Sequence, residues 1–205
     1  MQPNRIENGY RKMSSPEIGI RPAAPGDAAE LAVLINYAGE GLPVYLWERM
    51  AEPGETPWDV GKRRALREEG AFSYRNSFVA EQASEVVGAL VGYRIADEPE
   101  VIDDTVPAMF VPLVELENLV PGTWYVNVLA VRPELRGKGV GSRLLDIAGE
   151  RAAESGCTGQ SIIVSDANRG ARKLYERHGF RQVAERPMVK DDWDNPGRNW
   201  VLLEK

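Results

Sequence analysis

The most informative part of the chain is residues 124–155, WYVNVLAVRPELRGKGVGSRLLDIAGERAAES. An apolar strand at 124–131 leads through a proline-containing turn to 136–141, RGKGVG, which opens an amphipathic helix expected at about 140–154. The first N–H groups of a helix have no intrahelical partner, and the peptide dipoles place partial positive charge there. Glycines before them let a ligand approach the backbone, while Arg136 and Lys138 add fixed charge. The stretch therefore predicts a binding site for a diphosphate.

The spacing of the glycines discriminates between kinds of phosphate site. A P-loop has four residues between its first glycine and a Gly-Lys-Ser/Thr run, but here Lys138 is followed by Gly139. A dinucleotide fingerprint reads G-x-G-x-x-G, whereas Gly137, Gly139 and Gly141 are spaced G-x-G-x-G. Binding of a nucleotide through a P-loop or a dinucleotide fingerprint is therefore the weakest interpretation of this loop.

Composition and charge limit the class of protein. The 205 residues suffice for one domain with a substantial core, and 43% hydrophobic and 27% charged residues are ordinary for a globular protein. A net charge of −6 argues against a nucleic-acid partner, because phosphate binding favours a basic face. The single cysteine, Cys157, excludes an internal disulfide and favours a reducing compartment. No run is apolar enough to span a membrane and no signal peptide is visible, so we expect a cytoplasmic protein with no membrane partner and no metal site.

The order of predicted elements indicates an α/β (α+β) fold. Residues 1–15 lack periodicity and are expected to form an N-terminal arm, and residues 16–205 a single domain. Apolar residues at helical spacing between Met109 and Val120 predict a helical insertion at about 96–121. Strands are expected at 18–21, 77–82, 86–95, 124–131, 161–164, 182–189 and 199–204, and further helices after 27, at 44–50, at 57–69 and at 168–178. This order predicts a mixed sheet with helices on both faces.

A second motif follows the glycine loop at 166–180, DANRGARKLYERHGF. Asn168 is well suited to cap a helix, and Tyr175 lies seven positions later, two turns on along the same face. A tyrosine on an apolar helix face is ordinarily part of the core, so this spacing alone establishes no site.

Together the two motifs resemble those of the GNAT superfamily of acyl-CoA-dependent N-acetyltransferases. The family pattern R-x-x-G-x-G/A is matched by Arg136, Gly139 and Gly141. Its later pattern, N-x-x-A-x-x-x-Y-x-x-x-G-F, is matched by Asn168, Ala171, Tyr175, Gly179 and Phe180. The resemblance covers about 77–204 and implies a central mixed, mostly antiparallel sheet of about seven strands. It also implies a splayed parallel pair formed by the fourth and fifth strands.

The resemblance implies acetyl-CoA as the acyl donor, bound between those splayed strands. Tyr175 would then protonate the departing thiolate, and the backbone N–H near Leu129 would polarise the thioester carbonyl. The acceptor amine would attack directly, so that Cys157 is expected to be structural. The residues implied to bind the donor are Leu129, Ala130, Val131, Arg136, Gly137, Lys138, Gly139, Val140, Gly141, Ser142, Asn168, Ala171 and Tyr175.

The general base is where the chain departs from many members of the family. Asn127 stands on the fourth strand where they carry glutamate, and an amide cannot take a proton, although it can position the amine. Glu117 is taken as the candidate base, with Glu115 as an alternative from the same segment. Asp191, Asp192 and Asp194, beside Trp193, are further alternatives and would suit an ammonium group. Tyr45 and Trp47 are expected to be buried, or else to form a wall of the acceptor site, and His178 is expected to cap a helix C-terminus.

Two functions remain open from the sequence. The first is an N-acetyltransferase that moves an acetyl group to a primary amine of a small molecule or peptide. The alternative is a noncatalytic acyl-CoA-binding module, which Asn127 favours and Tyr175 disfavours. A homodimer is compatible with either function, with the 106–120 segment or the last strand as candidate surfaces. The sequence does not identify the acceptor.

Overall fold

The computed structural model describes residues 17–205, so the arm predicted for 1–15 lies outside the described residues. Within them we number seven strands and six α-helices in chain order. The strands are β1 Ile18–Pro22, β2 Ser77–Gln82, β3 Glu85–Arg94, β4 Trp124–Val131, β5 Gln160–Ser165, β6 Arg181–Pro187 and β7 Asn199–Glu204. The helices are α1 Ala28–Ala38, α2 Leu42–Glu48, α3 Pro57–Ala65, α4 Val111–Glu117, α5 Val140–Glu154 and α6 Arg169–Arg177.

The strands form one sheet in the order β1-β2-β3-β4-β5-β7-β6. Every neighbouring pair is antiparallel except β4 and β5, which are parallel. The prediction of a mixed, mostly antiparallel sheet with one parallel pair is therefore confirmed.

Apolar side chains cover both faces of the sheet. On one face, Leu31 and Leu34 of α1 share a buried cluster with Val128 of β4. On the other, Leu144 of α5 shares a cluster with Val126 of the same strand. Burying a side chain of this size contributes roughly 1.5–3 kcal/mol. Helices therefore lie on both faces, as the sequence predicted.

A β-bulge separates those two valines. Val91 of β3 pairs with Val128, but the next residue, Gly92, pairs with Val126, so Asn127 has no partner on β3. A residue inserted in this way bends its strand and re-aims the side chain, which is why bulges are frequent beside active sites.

The parallel pair separates at the same point. β4 and β5 are paired only from Trp124 opposite Gln160 to Val126 opposite Ile162. Beyond Val126 the two strands diverge, so their facing backbone groups are free to pair with a ligand. This confirms the predicted splay and places its apex at Asn127.

The segment 96–121 is less helical than predicted. Only Val111–Glu117 forms an α-helix, with Pro112 in its first turn, where a missing N–H costs nothing. The preceding residues contain prolines and acidic residues, which disfavour a continuous helix. Instead, the backbone N–H and C=O of Glu100 pair with the Asn118 side chain at 2.8 and 2.9 Å. No helix within 17–205 is long and apolar enough to cross a membrane.

Candidate active site

The glycine loop presents free backbone donors at the start of α5. Gly137 and Gly139 have φ of +74° and +85°, a left-handed conformation that favours glycine. The first backbone hydrogen bond of the helix is donated by Arg143 to Gly139 at 3.1 Å. The N–H groups of residues 140–142 precede it, and such first-turn N–H groups have no helical acceptor. The predicted anion cradle is therefore present in the backbone.

The side chains around this loop have different positions. Arg136 lines the cavity described below, and its Nε donates to the Val131 carbonyl at 3.2 Å, which anchors the loop to the end of β4. Lys138 is exposed and does not line the cavity, and Val140 is buried in the core. Val140 can therefore contribute only its backbone N–H to a ligand.

A cavity of about 700 Å³ runs from this loop into the gap between β4 and β5. Leu129, Ala130 and Val131 line one side of it, and residues 163–165 of β5 line the other. The remaining predicted donor-site residues that line it are Gly137, Gly139, Gly141, Ser142, Asn168, Ala171 and Tyr175. Of the thirteen residues predicted to bind the donor, only Lys138 and Val140 do not line the cavity.

Helix α6 and its N-cap residue bring Asn168, Ala171 and Tyr175 of the second motif to this cavity. Asn168 caps the helix, with its side-chain oxygen accepting from the Ala171 N–H at 3.1 Å, and it lines the cavity as well. Tyr175 is 4% exposed, and its ring packs against Phe180 at a centroid distance of 6.0 Å. Burial raises the pKa of Tyr175 well above the ordinary value, and the negative charge of Glu40 raises it further. The hydroxyl therefore stays protonated and can act as a donor at the cavity wall.

Asn127 and Glu117 each interact with Tyr93, but only Asn127 lines the cavity. The Asn127 Nδ2 donates to the Tyr93 hydroxyl at 3.4 Å, a long contact. Burial raises the pKa of Tyr93, and the nearby negative charge of Glu117 raises it further. Burial, with a smaller contribution from Glu100, raises the pKa of Glu117 itself to about 7. Its carboxylate can therefore gain or lose a proton near neutral pH.

The other carboxylates considered from the sequence either form an ion pair or lie outside both cavities. Glu115 accepts from Arg186 Nε at 2.6 Å, an ion pair that joins α4 to β6. Asp191, Asp192 and Asp194 are exposed and line neither cavity. Trp193, between these aspartates, is 5% exposed and stacks on Trp200 at a centroid distance of 6.0 Å.

Glu40 lines the main cavity, and sequence reasoning missed it. It lies between two glycines after α1 and has φ of +52°, a conformation uncommon for a residue with a side chain. Its carboxylate accepts from Asn195 Nδ2 at 2.8 Å, and its carbonyl accepts from Trp193 Nε1 at 3.3 Å. The β6–β7 loop thus holds Glu40 in place. A charged residue inside a Gly-Glu-Gly turn was the one available signal.

A second cavity, of about 310 Å³, meets the first at Asn127. Ala38, Gly39, Ile163 and Trp200 also line both cavities, so the two cavities adjoin along these residues. The second cavity lies between the sheet and helices α1, α2, α3 and α4, and its walls are mostly apolar. Those walls include Leu42, Leu46, Trp47, Met50, Phe72, Phe110, Leu113 and Tyr125.

Four remaining predictions concern single residues. Trp47 is 4% exposed, as one of the two expectations for it requires, and it also lines the second cavity. Tyr45 lines neither cavity and lies under the Arg49 guanidinium at 3.5 Å. His178 is the C-cap residue of α6, as predicted, and its Nε2 additionally bonds the Ser142 hydroxyl at 3.0 Å. Burial raises the pKa of Cys157, which lines neither cavity, and that disfavours a thiolate.

Nowhere in 17–205 do three His, Cys, Asp or Glu side chains converge as metal ligands would.

Comparisons with known proteins agree with this geometry. Residues 43–180 match the model of the Acetyltransferase (GNAT) family. A thialysine N-epsilon-acetyltransferase of Sus scrofa is 36% identical over 61 residues, which are 30% of this chain and 36% of that protein. Acetyltransferase Atu2258 of Agrobacterium fabrum is 39% identical over 62 residues, 30% of this chain and 44% of that protein. The aligned stretches thus span less than half the length of these relatives.

Solved structures extend the likeness over nearly the whole chain. One acetyltransferase crystal structure superimposes with a TM-score of 0.64 at 26% identity, covering 91% of this chain and 98% of the other. A polyamine N-acetyltransferase of Drosophila melanogaster gives a TM-score of 0.63 at 19% identity, with 92% and 99% covered, which supports the fold alone. The family match covers the splayed strands, the glycine loop and α6, and it includes every residue of the two sequence motifs. The chain therefore belongs to the GNAT family of acetyltransferases.

Proposed function

We propose that the protein is an acetyl-CoA-dependent N-acetyltransferase that acylates a primary amine. The observation that carries this proposal is the meeting of two cavities at Asn127. One of them leads to the free N–H groups of α5, and the other leads to an apolar chamber of different character. A site of this form can hold a long, anionic donor on one side and an acceptor on the other.

The residues of the first cavity fit coenzyme A. Its pyrophosphate would take the N–H groups that begin α5, with Arg136 nearby and Lys138 adding charge from the surface. Its pantetheine amides would pair with the diverging edges of β4 and β5. The backbone N–H near Leu129 would then act as the oxyanion donor. When bound, acetyl-CoA supplies a thioester carbon that an uncharged amine can attack.

Tyr175 serves the departing sulfur. As the C–N bond forms and the C–S bond breaks, negative charge develops on sulfur, and the buried hydroxyl donates to it. Because burial raises the pKa of Tyr175, while a thiol has a pKa of roughly 8.5, complete proton transfer is uphill. The hydroxyl therefore stabilises the thiolate mainly through a short hydrogen bond, and the sulfur takes the proton that the acetylated nitrogen releases as the amide forms.

The acceptor's proton is removed on the opposite side of Asn127. Glu40 attracts the incoming ammonium group from the cavity wall, and the Asn127 amide orients it. Glu117, whose pKa is raised to about 7, accepts the proton indirectly, by a relay through the Tyr93 hydroxyl that contacts Asn127. The amine then attacks, loses its second proton, and leaves as the acetamide. No enzyme nucleophile takes part.

The test is release of CoA thiol from acetyl-CoA across a panel of primary amines. Tyr175→Phe should lower kcat by about 100-fold or more while CoA binding is retained, because it removes the hydrogen bond made to the developing charge. Tyr74→Phe is the matched control, since Tyr74 is partly buried but lines neither cavity. It should leave kcat unchanged.

Two outcomes would overturn this proposal. If ATP or NAD raised the melting temperature and acetyl-CoA did not, the donor assignment would be wrong. If acetyl-CoA bound tightly but no amine promoted thiol release, the noncatalytic acyl-CoA-binding module would replace the enzyme.

A further inference from the structure

The second cavity contains one charged side chain in a mostly apolar wall. Among the residues that line it, Arg64 is the only one that carries a charge. Arg64 lies in the last turn of α3 and is half-buried, with its guanidinium 5.9 Å from the ring centroid of Phe72, another wall residue. A guanidinium is costly to remove from water unless something pairs with it.

No carboxylate within residues 17–205 pairs with Arg64. The acidic residues near α3 have other partners: Glu55 pairs with Arg63 at 2.9 Å, and Glu68 pairs with Arg75 at 3.0 Å. Asp59 is used in the capping box at the start of the helix, where it accepts from Thr56.

The electrostatic surroundings of Arg64 also favour an anion. Burial lowers the pKa of Arg64, and the neighbouring Arg67 and Arg63 lower it further, so these three influences disfavour its charge. The helix C-terminus stabilises a cation here, but Lys62 and Arg63 share that benefit while remaining exposed. Arg64 differs from them because it faces the cavity. An arginine held in this way binds a carboxylate through two parallel hydrogen bonds.

The walls of the two adjoining cavities carry opposite charges, which would orient a ligand that enters both. Glu40 lies on the wall of the first cavity, and Gly39, next to it, lines both. Negative charge therefore stands near the reaction point and positive charge within the second chamber. Such an arrangement complements a molecule with an ammonium group at one end, an apolar body and an anionic group at the other.

We propose that the acceptor is an apolar primary amine that carries a carboxylate, and that Arg64 binds this carboxylate. The proposal rests on the function proposed above and specifies its substrate class. It disfavours diamines and polyamines, whose second ammonium group would face Arg64 in a chamber of low polarity.

The test compares three amines that differ only at the end remote from the reacting nitrogen. Benzylamine, 4-(aminomethyl)benzoate and 1,4-bis(aminomethyl)benzene are titrated by calorimetry into the full chain saturated with CoA. We expect the benzoate to bind about tenfold more tightly than benzylamine, as a charge-assisted pair in a partly buried site provides. The diamine should bind more weakly than benzylamine.

Variants then assign the preference to one side chain. Arg64→Gln should abolish the advantage of the benzoate without weakening benzylamine, and Arg64→Lys should keep part of it. Arg63→Gln is the matched control, because Arg63 is the adjacent exposed arginine that pairs with Glu55. It should behave like the wild type.

Failure of this proposal can be distinguished from failure of the proposed function. Equal binding of benzylamine and the benzoate, no binding of either, or a preference that survives in Arg64→Gln would overturn the role of Arg64. Each amine is also incubated with acetyl-CoA. Acetylation of benzylamine without a carboxylate preference would leave the function standing, whereas preferential binding of the benzoate without thiol release would overturn only the function.

Discussion

The two cavities that meet at Asn127 are built in different ways. The first, the proposed donor cavity, offers backbone polar groups from the first turn of α5 and the diverging edges of β4 and β5. The second, the proposed acceptor cavity, is lined mainly by side chains, among them Trp47 of α2, Arg64 of α3 and Leu113 of α4.

This difference separates what is fixed by the fold from what can vary. Backbone donors are present whenever the strands diverge and glycines begin α5, whatever the neighbouring side chains are. A chamber built of side chains can change its ligand through single substitutions while the sheet is unaffected. Substitutions in the glycine loop should therefore change CoA affinity, and those in the walls of the second cavity should change amine selectivity.

The largest effect that tests this comparison is expected from Glu117→Gln. If Glu117 accepts the amine's proton, the variant should lose about 100-fold in kcat at neutral pH with its CoA affinity unchanged. Wild-type kcat/KM should rise with pH through about 7, because the base must be deprotonated and burial raises its pKa to about 7. That limb of the pH profile should be absent in the variant.

Glu40→Gln is the matched variant, because Glu40 lines the cavity and Glu117 does not. It should raise the KM for the amine and retain the limb near pH 7. If the limb survives in Glu117→Gln but disappears in Glu40→Gln, the base is Glu40.

Glu117→Gln should also change the stability of the protein, and this change should depend on pH. Because the folded-state pKa of Glu117 lies above the ordinary 4.5, the folded protein binds this proton more tightly than the unfolded chain. The resulting stabilisation is present below pH 4.5 and is lost as pH rises through about 7. Glu117→Gln should therefore melt at a higher temperature than the wild type at pH 8.5, and the difference should shrink at pH 5. A difference independent of pH would show that Glu117 is not buried as a titrating group.

An intermediate effect is expected from Gly139→Ala in the donor region. A left-handed conformation costs a residue with a β-carbon about 1–2 kcal/mol, which corresponds to roughly tenfold in affinity if the loop must adopt it to bind. We expect the Kd for CoA to rise by about this factor, as measured by calorimetry, with the amine selectivity unchanged.

Gly54→Ala controls for the strain itself. Gly54 has φ of +90°, close to the +85° of Gly139, and in both cases an added β-carbon would meet nothing within 4 Å. Both variants should lose similar stability, but only Gly139→Ala should lose CoA affinity. Equal losses of affinity would mean that the effect reports overall destabilisation.

The donor region could be predicted from the sequence because its signals are contiguous. Trp124–Val131 and Val140–Glu154 coincide with the predicted strand and helix, since a long apolar run and a long amphipathic pattern each fix an element. Arg136, Gly139 and Tyr175 all line the cavity, as two short motifs indicated. The bulge at Asn127 was not predictable, because one extra residue in a ladder leaves no mark on the alternation of a mostly apolar strand.

The residues of the proposed acceptor cavity could not be predicted from the sequence in this way. Trp47, Arg64 and Leu113 lie far apart in the chain, and only the packing of α2, α3 and α4 around the second cavity brings them to one chamber. Nothing local distinguishes Arg64 from Arg63 beside it, since the two differ only in which side of α3 they face. The pairing of Glu115 with Arg186 likewise depends on the contact between α4 and β6.

The smallest effect is expected from Ser142→Ala, and it tests how far the donor site depends on side chains. The Ser142 hydroxyl bonds His178 at 3.0 Å and lines the cavity beside the free N–H groups of α5. If the backbone provides most of the phosphate binding, removing this hydroxyl costs only a neutral hydrogen bond, roughly 0.5–1 kcal/mol. The Kd for CoA should then rise by no more than about fivefold, less than in Gly139→Ala. A loss larger than that of Gly139→Ala would show that the hydroxyl binds the ligand directly, and the donor cavity would then be built of side chains like its neighbour.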